Sequence, residues 1–523
     1  MFPLLSTIVF LPVLGGIAVL LVPDRYKDVI RWTALGAALL DLLFVLGLIL
    51  VYSQFNLAAS SSIIGAIPSN TFLNFNETVP IVATSNFTLS YSLGVDGISL
   101  LLVALASLLT AVCIAASFRI EQRLKQYMAF MLLLECGMLG VFLSTNLFVF
   151  YIFWELMLIP AYLLVGSWGG PRRIYAAFKF VLYTSVGSLL MLAGIIALGY
   201  YHQQANGGAY TLDLFTLLSG KISPDVQMWL FLAMAAAFAV KVPFVPFHSW
   251  LPDTYSEAPA PVTAMLAGAM SKTGAYGFLR FCIPLFPHAF QQLSMLLSVL
   301  AVIGILYCAV LALVQTDMKR LLGYSSISHL GIVMLGMFAL NVQGVEGSVL
   351  QMVNHGITTA ALFLIVGFIE ARAGTRKLSD FGGLALRVPV LAAVLLIAIL
   401  SSLGLPGLNS FAGEFLALIG VFQHSVVLGV LATAVVVPAA WYLIRLFLDA
   451  MEGPRLTEGH VATLIRKGQF KDLQIGEFVV ILPLLILIFY IGFQPNPLTA
   501  VMEPSVVNTL QHALQTVGSA LTR

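Results

Sequence analysis

Charge is what this sequence has least of. Only 9% of its 523 residues are Asp, Glu, Lys or Arg, and 60% are hydrophobic. A soluble domain carries about 25% charged residues, so the composition excludes one and points to a chain that crosses a bilayer many times. The formal net charge is +2 at pH 7, which gives no electrostatic case for nucleic acid. Cysteine is also sparse. Cys113, Cys136, Cys282 and Cys308 each lie inside an apolar run and none forms a CxxC pair, so they read as small buried apolar residues. No GxGxxG opens a helix after a strand, and there is no Walker-type loop and no HExxH. No nucleotide, flavin, iron–sulfur cluster or metal is therefore expected on this chain.

What is present is a series of apolar runs. The first, 2–22, has no basic n-region and no clear small-residue cleavage site, so it is expected to stay as the first membrane helix. A spanning helix needs about 20 mostly apolar residues. That rule predicts an all-α polytopic membrane protein of about 14 transmembrane helices, at 3–22, 32–52, 94–117, 126–143, 146–167, 175–201, 226–247, 260–281, 291–313, 321–340, 347–370, 389–421, 425–449 and 475–493. With 14 helices the loops alternate between two faces, and 20 of the 25 Lys and Arg residues fall on one of them. The positive-inside rule makes that face cytoplasmic and turns both termini outward. One loop breaks the pattern. The loop after the seventh helix belongs to the basic face yet carries Asp253 and Glu257 and no Lys or Arg. The outer loop 53–93 is rich in Ser, Asn and Thr; its Asn76-Glu77-Thr78 and Asn86-Phe87-Thr88 tripeptides carry no weight as glycosylation signals. The tail, about 497–521, is expected to form a short amphipathic helix on the outer surface, too short for a long lateral arm.

The few charges inside the apolar runs define the candidate site, because a buried ionisable residue in a membrane helix is a functional hypothesis by default. Glu155 lies deep in FYIFWELMLIPAYLL, and Lys241 ends an apolar run just before Pro243 and Pro246, so the two are expected to pair. Lys272 sits mid-helix in MLAGAMSKTGAYGFL, with no carboxylate within one turn and small neighbours that leave room for water. Desolvation disfavours the charged form of a lysine, which suits a group that takes up and gives back a proton. His248, seven residues after Lys241, and His329 and His355, set among Ser, Thr and Gly, read as relay stations. A metal role is disfavoured, since none has a second ligand at i+3 or i+4. Glu414, in GLPGLNSFAGEFLALI, closes the series after a Gly404–Gly407 break. Glu135, in FMLLLECGMLG, is a further buried carboxylate, placed either to polarise Glu155 or to touch a neighbouring subunit. Asp41 and Glu370 lie nearer helix ends, where snorkelling or local pairing is expected.

These positions also suggest a repeat. The helices of 126–281 hold Glu155 and a broken helix with Lys241, and those of 291–449 hold a second broken helix with Glu414. Five helices is an odd number, so consecutive units point in opposite directions, as in inverted-repeat transporters. The expected division is 1–125 for the first three helices and the outer loop, 126–281 and 291–449 for two inverted five-helix repeats, and 450–523 for the last helix and tail.

FYIFWELMLIPAYLLVGSWGG, AVKVPFVPFHSWLPDTYSEAPAPVTAMLAGAMSKTGAYG, LLGYSSISHLG and GLPGLNSFAGEF together resemble the antiporter-like membrane subunits of respiratory complex I, from about Tyr91 to about Ile491. Glutamate at 414, where the L and N types carry lysine, and a chain that stops after the fourteenth helix resemble the M-type, or chain 4, branch. The resemblance implies a non-redox, proton-translocating subunit of an NADH:quinone oxidoreductase in a bacterial plasma (inner) membrane. Glu155 and Lys241 would then be the input pair, Lys272 the central relay, His329 and His355 its connection to the exit residue Glu414, and His248 a neighbour of the broken helix. It further implies that NADH, FMN, iron–sulfur clusters and quinone belong to partner subunits, and that the partners include two further antiporter-like subunits. The alternatives are a subunit of a multi-subunit cation/proton antiporter and the equivalent pump subunit of a ferredoxin- or hydrogenase-linked complex.

Overall fold

A computed structural model describes residues 3–61, 75–453 and 459–521. Residues 62–74 of the expected outer loop, together with Arg455 and Arg523, lie outside the described residues. Helices α1 (Leu4–Leu21) and α2 (Lys27–Ser61) come first. An antiparallel hairpin follows, β1 (Phe75–Ala83) and β2 (Thr88–Val95), within the stretch expected as loop. The Glu77 carboxylate of β1 accepts the backbone N–H of Leu5 at 2.7 Å and of Ser6 at 3.0 Å. The hairpin thus puts an anion on the positive end of α1.

The chain continues through α3 (Gly97–Ala116), α4 (Leu124–Leu143), α5 (Leu147–Trp168), α6 (Arg173–Asn206) and the short α7 (Leu214–Ser219). Next come α8 (Pro224–Lys241), α9 (Trp250–Glu257), α10 (Ala260–Met265), α11 (Lys272–Gly277) and α12 (Ile283–Leu285). Then α13 (Pro287–Leu313), α14 (Met318–Phe338), α15 (Val342–Ala373), α16 (Pro389–Ser402) and α17 (Asn409–His424) lead to α18 (Val426–Thr433), α19 (Val436–Phe447), α20 (His460–Arg466), α21 (Ile475–Phe493) and α22 (Asn496–Leu521). Among the described residues, 11 helical segments are long and apolar enough to cross a membrane. The other three expected spans are the interrupted ones, 226–247, 260–281 and 389–421, so a count of 14 is compatible with the structure.

Both breaks fall at their punctuation. α8 stops at Lys241, and Pro243 and Pro246 keep the chain non-helical until α9. α16 stops at Ser402, and Gly404 and Gly407 turn the chain at φ +71° and +92°, values open to glycine at little cost, before α17 starts. Irregular backbone at membrane depth must be covered by protein or water. Here the centre covers it: 94% of the most apolar window of α14 and of α15 is buried, against 33% in α2 and α21, so α14 and α15 form the middle of the bundle. The tail helix α22 docks on the protein, burying Met502, Val506 and Leu510, with Ser505 Oγ accepting the Gly97 N–H at 3.0 Å. A Cβ on Gly97 would lie 1.9 Å from the Val501 carbonyl oxygen, so only glycine lets α3 start against α22.

The acidic loop after the seventh span also has a physical account. All eight residues of α9 are buried. Asp253 accepts from Lys179 at 2.8 Å and Arg320 at 2.9 Å, and Glu257 from Arg376 at 2.9 Å. Its acids are the counter-ions of basic residues on neighbouring loops and helices.

Candidate functional site

Lys272 owes its surroundings to a local change of helix period. The segment Leu266–Met270 forms a π-helical turn. There the Ser271 N–H bonds Leu266 O at 3.0 Å, so Ala267 O is released from the usual pattern. That carbonyl instead accepts Ser271 Oγ at 2.9 Å and Lys272 Nζ at 2.5 Å. Lys272 Nζ also lies 2.8 Å from His355 Nδ1 on α15. The lysine is fully buried and His355 nearly so. The ammonium is thus held by one carbonyl while it faces an imidazole able to take its proton.

From His355 the line continues to His329 on α14, the ring centroids 5.8 Å apart. His329 Nδ1 lies 2.7 Å from Glu414 Oε1, and Gln351 Nε2 donates to the same oxygen at 2.9 Å. Glu414 is held where it is by the second break. Asn354 Nδ2 of α15 donates to Asn409 O at 2.7 Å, Asn409 Nδ2 returns a bond to Asn354 O at 3.2 Å, and Ser401 Oγ donates to Asn409 Oδ1 at 2.6 Å. These bonds tie the start of α17 to α15 and to the end of α16 across the second break.

Lys241 and Glu155 depart from expectation. No ion pair joins them among the described residues, and Lys241 Nζ, fully buried, has no hydrogen-bond partner. It lies instead over the rings of Trp154 and Phe180, 5.3 and 5.5 Å from their centroids. Glu155 remains within Coulombic reach of it. The reason is positional: Lys241 is the last residue of α8, and its stem packs between helices on aromatic faces. The same residue approaches α11, since a Cβ added to Gly274 would lie 3.0 Å from Lys241 Cβ. His248 lies in the first break, its ring edge-on to Tyr307 of α13 at 5.7 Å, with Nδ1 unpartnered. It is not part of the hydrogen-bonded line from Lys272 to Glu414.

Glu135 is fully buried and turned toward Asp41 of α2, so it meets no surface where a neighbouring subunit could touch it. Asp41 is also corrected: it does not snorkel but is fully buried, accepting Ser107 Oγ at 2.6 Å. Glu370 pairs locally, 2.6 Å from Lys319 Nζ. Sequence reasoning missed Gln351, Asn354, Ser401 and Asn409. Only Asn409 carried a signal, as an amide at the start of a helix just past a Gly-Leu-Pro-Gly turn.

A polytopic helical bundle with two interrupted helices and a line of ionisable side chains through its centre defines a membrane protein of the ion-translocating class. The family model described as "NADH:quinone oxidoreductase/Mrp antiporter, TM" matches residues 144–438. The chain is 37% identical over 511 residues to NADH-quinone oxidoreductase subunit M of Rickettsia prowazekii, covering 97% of this chain and 99% of that one. It is 38% identical over 502 residues to NADH-ubiquinone oxidoreductase chain 4 of Chondrus crispus, covering 96% of each. Among solved structures, respiratory complex I from Thermus thermophilus with bound NADH contains a chain that matches with TM-score 0.82 and 31% identity over 97% of this chain and 99% of that one. An archaeal membrane-bound sulfane sulfur reductase matches in fold, with TM-score 0.79 at 23% identity, over 95% of this chain and 77% of that one. This chain belongs to the NADH:quinone oxidoreductase/Mrp antiporter membrane-subunit family.

Proposed function

We propose that this chain is the non-redox, proton-translocating M-type subunit of a bacterial NADH:quinone oxidoreductase. In this reading it lies in the plasma membrane with the basic face in the cytoplasm and both termini outside. NADH, FMN, iron–sulfur clusters and quinone are bound by partner subunits, and two further antiporter-like subunits flank the membrane arm. The two five-helix units, 126–281 and 291–449, are the inverted halves that carry the two breaks.

The observation that carries the proposal is the line Lys272–His355–His329–Glu414, with 2.8 Å at its first step and 2.7 Å at its last. In this line Lys272 Nζ hands a proton to His355 Nδ1, and the proton lost from His355 Nε2 passes to His329 across the gap between the rings. His329 then protonates Glu414, which releases the proton. Lys241 sets the timing. While Glu155 attracts Lys241, its charge is held from Lys272; when that attraction is weakened, a second positive charge approaches α11 and favours transfer of the Lys272 proton to His355. Quinone reduction elsewhere acts on this balance by local electrostatics on a two-state element.

The test uses inverted membrane vesicles carrying the wild-type chain or Lys241→Ala, with NADH-driven, inhibitor-sensitive quinone reduction and proton uptake followed together. Loss of both with the complex still assembled supports the proposal. Unchanged proton stoichiometry overturns it, and sodium-dependent proton flux without NADH transfers the chain to the antiporter reading.

A further inference from the structure

A second set of buried ionisable groups lies outside the Lys272–Glu414 line. Asp41 in the middle of α2 and Glu135 in the middle of α4 are both fully buried. Their carboxyl groups face each other within hydrogen-bonding reach. Ser107 of α3 donates to Asp41 Oδ2 at 2.6 Å, and Thr110 of α3 lies against Glu135. Asp41 Oδ1 and both oxygens of Glu135 are sealed from solvent with no donor aimed at them.

Among the described residues, no cation forms an ion pair with either carboxyl group. α1 carries no ionisable side chain, α3 contributes only Ser107, Thr110 and the thiol of Cys113, and α4 adds Cys136 and the phenol of Tyr127. α5, packed on α4, adds Tyr151, Glu155 and Tyr162 and no basic group, and β2 adds Tyr91; α11, also packed on α4, carries Tyr276, which donates to Phe142 O, and Lys272, whose Nζ is taken by Ala267 O and His355 Nδ1. The basic residues of α2 and α4 sit at the helix ends and pair there: Lys27 with Glu121, Arg31 with Asp28 and Lys125 with Asp24. Two ionised carboxylates offer only acceptors to each other, and burying uncompensated charge costs several kcal/mol per group. One proton between them removes one charge and supplies the missing O–H donor.

We infer that Asp41 and Glu135 form a proton-binding site, a carboxylic acid–carboxylate pair holding one exchangeable proton outside the Lys272–Glu414 line. Asp41 keeps the Ser107 bond, and Glu135 shares the proton with it.

The experiment is infrared difference spectroscopy on the assembled membrane complex, in H2O and D2O, comparing wild type with Asp41→Asn and Glu135→Gln. It needs no turnover, so its result is independent of the pumping proposal. The expected result is one protonated-carboxyl band, shifted by D2O and lost in either single variant, because the amide then donates to the remaining carboxylate. Two bands, each lost in only one variant, would mean two independent acids and overturn the shared site. The absence of any such band, with a carboxylate signal that moves on adding sodium, would make the pair a cation site instead. If a single variant fails to assemble, the double variant, in which amide pairs with amide, gives the same comparison: wild type minus double must contain one acid band and one carboxylate.

Discussion

The bond between His329 and Glu414 makes the sharpest prediction about how protons leave the line. Glu414 Oε1 receives His329 Nδ1 at 2.7 Å and Gln351 Nε2 at 2.9 Å. In Glu414→Gln the shape is kept and the charge is lost. A hydrogen bond to a charged group contributes about 1.5–3 kcal/mol, so losing this one should slow the proton-coupled step about 10- to 150-fold. On the proposed function quinone reduction is tied to that step and should slow with it. His329→Gln removes the same link from the other side. If the two residues act in series, the double variant is no slower than the slower single variant, because groups that act as a unit are non-additive. The assay is NADH-driven quinone reduction with proton uptake in inverted vesicles, after checking assembly. Additive losses in the double variant, or a normal ratio of protons to electrons in Glu414→Gln at undiminished rate, would refute the series.

Other contacts make narrower predictions. Gly274→Ala puts a methyl group 2.7 Å from Val242 Cγ2 and 3.0 Å from Lys241 Cβ and Phe238 O, so it should destabilise by about 1–3 kcal/mol through overpacking; a lowered thermal midpoint with reduced coupling is expected, and an unchanged midpoint would mean α8 and α11 are not in tight contact. Arg376 joins Asp317 at 2.5 Å and Glu257 at 2.9 Å. Removing one partner of a buried ion pair costs about 3–5 kcal/mol, and Arg376→Gln, at a partly exposed site, should fall at or below the low end, read as loss of the subunit from detergent-extracted complex. Asn409→Leu unties the second break from Asn354 and Ser401, and should lower proton uptake more than it lowers assembly, measured as uptake per assembled complex.

The breaks and the isolated charges were legible because each violates its surroundings. A lysine or glutamate in an apolar run, and Pro243–Pro246 or Gly404–Gly407 inside a span-length segment, stand out without any knowledge of neighbours. Partner identity was not legible in the same way. Lys241 was expected to contact Glu155 directly, and its Nζ instead lies over two aromatic rings, because which helix faces which is decided by packing. The π-helical turn that frees Ala267 O is written in Leu, Ala, Gly, Ala and Met, which carry no local signal for it. Position alone would not have put Asp41 near an end, since it lies at the middle of the expected run 32–52 as it does of α2; what the sequence could not show is that α3 and α4 close over it. The β1–β2 hairpin lay hidden in a polar loop, where alternation is weak when both faces are exposed.

The two ends of the charge series are stabilised by different means, and that difference bears on which end moves. Lys241 is the last residue of α8, where the helix dipole favours a cation by about 0.3–1 kcal/mol, and its Nζ lies over two ring faces more than 5 Å away, within Coulombic reach of Glu155. None of these is a directional hydrogen bond, so a small rotation of the side chain loses little. Glu414 is the sixth residue of α17, beyond the first turn in which the dipole acts, and it is fixed instead by two short bonds from His329 and Gln351. A shift of position at that end breaks at least one of them, at about 1.5–3 kcal/mol. The low-cost motion is therefore at Lys241, and on the proposed route the protonation change that answers it is at Glu414. On that route a signal arriving at the first break is free to move a charge there without disturbing the geometry at Glu414, through which the proton would leave.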